Sequence, residues 1–192
     1  EENFFQYFAN PDADDLKTRR EHKRYGIKSK SAYGWETIDP RFQVNPEPLS
    51  EAQGNVNEPN RFGWVIEFDP FHPQAPIKKR TALGRFFHEN VAFASSPEFT
   101  QMALYMGDDA RGEYIYKFVP KASLRDGVDP STILDEGKLF VAVCFEGGKG
   151  EWRELSFGQN GLTAENGFQD QAEVLVNTRS AADRVGATPM DR

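Results

Sequence analysis

An all-β fold is predicted by two observations. Short segments rich in β-branched and aromatic residues recur at fairly regular spacing, with Gly, Pro and Asp between them. Aromatic residues make up 13% of the 192-residue chain and fall mostly in short bursts.

Taken in order, residues 12–24 are strongly charged and predict a surface helix capped by Asp12 or Asp14. Residues 49–59 are polar and carry Pro and Gly, a loop. Val65-Ile66-Glu67-Phe68 follows Phe62-Gly63-Trp64 as a first strand and stops at Asp69-Pro70. A Pro-rich turn over residues 70–76 leads to an extended run at residues 79–86, and Val91-Ala92-Phe93-Ala94 is another apolar burst. Strong strand signals follow at residues 102–106, 114–119 and 139–145. Glu146-Gly147-Gly148-Lys149-Gly150 is the turn of a hairpin that ends at Ser156-Phe157. Residues 169–185 place Ala172, Leu175, Val176, Ala181, Ala182 and Val185 at amphipathic helical spacing, closed by Gly186.

A weak internal echo joins Tyr33-Gly34-Trp35-Glu36-Thr37-Ile38-Asp39-Pro40 to the segment from Phe62 to Pro70, both aromatic-Gly-Trp running into Asp-Pro. It permits a propeller or other repeat, and equally two unrelated aromatic turns.

Composition excludes several classes. A net charge of -7 with a pI near 5.1 argues against a nucleic-acid surface, which shows a basic patch. No apolar run approaches the roughly 18 residues of a membrane span. Glu1-Glu2-Asn3 begins the sequence without an initiator Met or a signal-like apolar segment, so a mature or truncated chain is expected. Cys144 is the single cysteine, which excludes an intrachain disulfide and a Cys-based zinc site. Its place in an apolar run predicts an inert buried thiol.

Asp108-Asp109-Ala110-Arg111-Gly112-Glu113 is the stretch that points to chemistry. Three carboxylates and a guanidinium on one short turn are costly to desolvate together and need water, a cation or an anion for balance. A strand–loop–strand frame would aim Arg111 and Glu113 the same way, because alternate strand residues share a face. A cation site beside an anion site is what hydrolysis of a phosphate ester requires; the plain alternative is an acidic hairpin loop with a local salt bridge. Gly112 suits a turn with positive φ. His88-Glu89-Asn90 offers oxygen donors for a hard cation such as calcium, or simply a polar strand end with a hydrogen-bonded histidine. His22 and His72 are expected to be solvated. Glu1-Glu2-Asn3 repeats the donor set, and alone such a pair is solvent decoration. No Gly-Lys-Ser/Thr loop, His-Glu-x-x-His or Gly-x-Ser-x-Gly is present.

Several of these segments together resemble the PhoX-type alkaline phosphatases. They are residues 63–70, residues 79–89, and Tyr105-Met106-Gly107-Asp108-Asp109-x-Arg111-Gly112-Glu113-Tyr114-Ile115-Tyr116-Lys117-Phe118. Glu1-Glu2-Asn3-Phe4, residues 134–142, Gly150-Glu151-Trp152 and residues 187–192 match as well, so the resemblance spans nearly the whole chain. It implies a six-bladed β-propeller, of which this chain would build about two to three blades with short helical insertions at residues 12–24 and 169–185. It also implies a phosphomonoesterase holding ferric iron and calcium, exported by the twin-arginine route to the periplasm or beyond. On the matching positions Arg111 is the phosphate-binding, catalytic arginine and Glu113 a metal ligand. Glu1 or Glu2 is a further metal ligand, and Glu89 another by motif position.

The departures are as informative. Family members are much longer, so residues 1–192 are expected to be one piece of a single propeller domain whose other segments complete it. The iron-binding cysteine and the phosphate-binding asparagine are expected outside these residues, and Cys144 does not replace the former. His88-Glu89-Asn90-Val91 stands where the family has His-Glu-Gly-Ala. The function expected is therefore metal-dependent release of phosphate from phosphate monoesters, with the site only partly contained here. The rivals are a non-catalytic propeller fragment or binding module, and a calcium-dependent lactonase or esterase, whose neutral substrate would need no arginine clamp.

Overall fold

The computed structural model describes residues 1–11, 20–44, 57–96 and 102–191. The chain divides into two compact units, Glu1–Gly63 and Trp64–Arg192.

The smaller unit is built from turns. Helix α1 (Arg20–Arg24) is short, and 3-10 turns cover Phe4–Tyr7, Trp35–Thr37, Pro40–Phe42 and Glu58–Arg61. Single parallel bridges join Ala9 to Lys28 and to Gln43. Around them Phe8, Ile27 and Val44 form a small core, with Phe42 and Phe62 packed on Phe8 at ring-centroid distances of 5.5 and 5.7 Å. His22, expected in solvent, is fully buried on α1 beside Glu21, because that side of the short helix turns inward. Residues 12–19 of the expected helix and residues 49–56 of the expected loop lie outside the described residues. The end of that loop enters the 3-10 turn at Glu58–Arg61.

The larger unit is mostly antiparallel sheet. Strands β1 (Val65–Glu67) and β2 (Lys78–Arg80) pair as a two-stranded ribbon. Strands β3 (Ala92–Ser95), β4 (Met102–Gly107), β5 (Ile115–Pro120), β6 (Gly137–Phe145) and β7 (Lys149–Glu154) follow one another as a five-stranded meander. Alternation explains the core. Leu104 and Met106 of β4, Tyr116 and Phe118 of β5, and Leu139 and Val141 of β6 are buried on one face. Leu83, Phe86, Val174, Ala181, Ala182 and Val185 cover them.

The extended run expected at residues 79–86 stops at Arg80. Thr81–Leu83 is a 3-10 turn, and Gly84 takes φ 82 and ψ 161, a region open essentially to glycine alone. Arg80 is buried, donating to Glu67 at 2.7 Å and to the Ser131 carbonyl at 2.6 Å, and pairing with Asp135. The helix expected at residues 169–185 is two helices, α2 (Gln171–Val176) and α3 (Thr178–Val185). Asp170 caps α2 by accepting the Glu173 N–H at 2.8 Å, and Gly186 closes α3 in the left-handed region. The break falls where the Thr178 hydroxyl donates to the Leu175 carbonyl and accepts the Arg85 N–H.

The two segments of the internal echo differ in local structure. Trp35 starts a 3-10 turn, whereas Trp64 is buried at the entry to β1. The two segments share a left-handed glycine before the Trp, Gly34 at φ 70 and Gly63 at φ 91, and an Asp-Pro turn: Asp39 accepts the Arg41 N–H and Asp69 the Phe71 N–H, at 2.9 and 2.8 Å. Asp129-Pro130 does the same with Ser131 at 2.8 Å, without any aromatic-Gly-Trp before it.

Candidate active site

Hairpin β4–β5 and the segment before β3 build the site. The Asp108 N–H donates to the Tyr114 carbonyl at 3.1 Å, and an antiparallel bridge joins Asp108 to His88. The Asp109 N–H reaches the Phe87 carbonyl at 2.9 Å, so residues 86–88 back the turn. On its other side Gly112 donates to Met190 at 2.9 Å, and Met190 donates to Glu113 at 2.8 Å. Gly112 has φ 77 with nothing near a would-be Cβ, so only its conformation calls for glycine.

This turn separates the two residues expected to point the same way. Arg111 lies in the turn, exposed, while Glu113 is buried at 8% exposure. Strand alternation does not run through residues 109–112, which are bend and turn. A cavity of about 410 Å³ opens beside it, and Glu89, Asn90, Asp108, Asp109, Glu113 and Asp191 belong to its wall. Arg111 stands outside that wall. Glu1 and Glu2 belong to the smaller unit, both half-buried, with Glu2 accepting from the Asn3 amide at 2.8 Å.

Two residues of the site were given no role of their own by the sequence: Asp109, which stands inside the acidic turn, and Arg179, which has no local signal. Asp109 brings a carboxylate oxygen within 4.8 Å of one from Glu89. Two oxygen ligands of one calcium, each at roughly 2.3–2.6 Å, are up to about 5 Å apart, so this pair fits a hard cation. Arg179, on α3, is buried at 3% exposure and donates through Nε to Asp108 at 2.7 Å and through Nη2 to its other oxygen. The same Nε lies 3.5 Å from Glu113, and the guanidinium sits 3.9 Å from the centre of the Phe87 ring. Burial raises the pKa of Asp108, and the bonds from Arg179 oppose that shift.

His88 supports the site from behind. Its Nε2 donates to the Gly84 carbonyl at 3.0 Å and its ring lies against Phe86, which stacks on Tyr116. Burial lowers its pKa to about 3, so it is a neutral anchor. His72 is exposed as expected and pairs with Asp69 at 2.7 Å. Cys144 is exposed, contrary to the buried thiol expected: Leu139, Val141 and Val143 take the inner face of β6, which turns residue 144 outward.

Against known proteins, the family model described as alkaline phosphatase PhoX matches residues 1–192. The chain belongs to the PhoX alkaline phosphatase family. A solved structure of PhoX from Pseudomonas fluorescens, in complex with vanadate, a transition state analogue, is 45% identical with a TM-score of 0.87. The match covers 100% of this chain and 33% of that one, so the chain spans about a third of the length of that PhoX. No curated protein matches the chain significantly. Among the described residues no helix is long and apolar enough to cross a membrane.

Proposed function

We propose that residues 1–192 form one wall of the site of a metal-dependent phosphomonoesterase, an alkaline phosphatase that releases phosphate from phosphate monoesters. The observation that carries this is the carboxylate-lined cavity beside Arg111, in a chain 45% identical over its whole length to a vanadate-bound PhoX. The complete protein would be a six-bladed propeller working in the periplasm or outside the cell, with the meander supplying blade strands and other segments closing the ring.

The donors are carboxylate oxygens, which suit calcium and ferric iron as hard cations. When bound, such ions supply Lewis acidity and neutralise phosphate oxygens. Glu89 and Glu113 would hold them, joined by Asp109; Glu1 or Glu2 is proposed as a further metal ligand on the family resemblance alone. Arg111, exposed at the tip of a fixed turn, would take two oxygens of the phosphoryl group with its planar fork and stabilise the charge that spreads in the transition state. Gly112 would let the backbone turn between the anion-binding and cation-binding residues.

Full-length protein supplied with calcium and iron is expected to hydrolyse p-nitrophenyl phosphate and to leave a lactone untouched; the reverse preference would reject the reading. Arg111→Lys keeps the charge and loses the fork. Its turnover is expected to fall about 100-fold or more with metal content retained, and undiminished turnover would remove Arg111 from the reaction. Glu113→Gln is expected to lower metal content by elemental analysis.

A further inference from the structure

Arg179 lies 71 residues from Asp108 in sequence, yet its guanidinium is buried against Asp108 and Glu113. A buried guanidinium is costly unless its charge and N–H groups are met. Asp108 meets it with both carboxylate oxygens, and Phe87 offers its ring face. Both backbones are fixed. Arg179 is the second residue of α3, whose first residue, Thr178, is fastened to Arg85. Asp108 is held by its bridge to His88 and its bond to Tyr114. Asp108 and Glu113 both belong to the cavity wall, and the Arg179 Nε reaches both, at 2.7 Å and 3.5 Å. The shorter contact goes to Asp108 and the longer to Glu113, so the charge is anchored on one carboxylate while it acts on the other.

We propose that Arg179 is a positioning residue: clamped by Asp108 and seated on Phe87, it fixes the orientation of the Glu113 carboxylate in the cavity. This rests on reading Glu113 as a cation ligand. Partners of this kind behind a metal ligand commonly account for 10–100-fold in affinity. A lysine at the same place would keep the charge and lose the fork that grips Asp108.

The test is a double-mutant cycle in the full-length protein, read as calcium affinity by titration of metal-stripped material, with thermal unfolding and p-nitrophenyl phosphate turnover measured alongside. Arg179→Lys is expected to weaken calcium binding about 10–100-fold. In a Glu113→Gln background the same substitution is expected to change calcium affinity little, because the residue it acts through is gone. A loss of the same size in both backgrounds, or none in either, overturns the proposal, since a purely structural arginine does not couple to Glu113. Should Arg179→Lys fail to fold, Phe87→Leu removes only the ring face and runs through the same cycle with the same criteria. The two readings fail separately. Wild-type protein that binds calcium and hydrolyses no phosphomonoester overturns the function, with the clamp still judged by the cycle. Wild-type protein that hydrolyses phosphomonoesters without coupling in the cycle overturns the clamp alone.

Discussion

His88 ties the pH response of the fold to burial at one residue. Its folded-state pKa, about 3, lies below the value of 6.5 for an unburied histidine. The unfolded chain therefore takes up the proton first as pH falls. The His88 contribution to stability is intact above pH 6.5 and is lost progressively from there toward pH 3. The urea midpoint is expected to fall over that window, and His88→Phe, which keeps a ring against Phe86, is expected to flatten that part of the slope. An unchanged slope in the variant would assign the acid response to other groups. At this scale the short motifs drew attention to Glu89 and Glu113, which line one cavity, because carboxylates cluster in them. Arg179 drew none, because nothing near residue 179 announces that its partner is Asp108.

Gly84 carries the corresponding argument for an element. Its φ of 82 closes the 3-10 turn at Thr81–Leu83, and its carbonyl accepts from His88. A Cβ there would meet Leu139 Cδ2 at 2.7 Å and Thr178 Oγ1 at 2.9 Å. Gly84→Ala combines backbone strain with overpacking and is expected to cost roughly 2–4 kcal/mol in denaturant unfolding. By contrast Asp170→Ala removes one helix cap and is expected to cost about 1 kcal/mol. The existence of most strands followed from hydrophobic pattern, and Gly186 marked the end of α3. The break between α2 and α3 did not follow, because Thr178 spends its hydroxyl on Arg85, 93 residues away.

For the larger unit as a whole, the sheet's outer face carries a cluster of large apolar side chains among a few charges. Register places Tyr105, Lys117 and Phe140 side by side, with Ile115 and Trp152 on the same face. Lys117 lies over the rings of Phe140 and Trp152, at 5.1 and 4.7 Å, and burial lowers its pKa. Strands β3 and β7 are the edges of this sheet, and Phe93 on β3 is 63% exposed. Residues 1–192 produced alone are expected to self-associate through such surfaces, seen as a rise in sedimenting mass with concentration. Trp152→Lys is expected to reduce that association, and a strictly monomeric wild-type chain would show that the face is tolerated in water.

The amino-acid sequence by itself determined the sheet-rich character of the larger unit, the approximate strands, the acidic turn and, through its motifs, the family. These are properties of neighbouring residues: alternation, turn chemistry and local charge. Only the tertiary structure decided which carboxylates share a cavity, that Arg111 is exposed while Glu113 is buried, that Cys144 faces outward, and that Arg179 meets Asp108 and Glu113 from a distant helix. Such facts depend on the phase of each strand and on contacts between segments far apart in the chain, which local pattern does not encode.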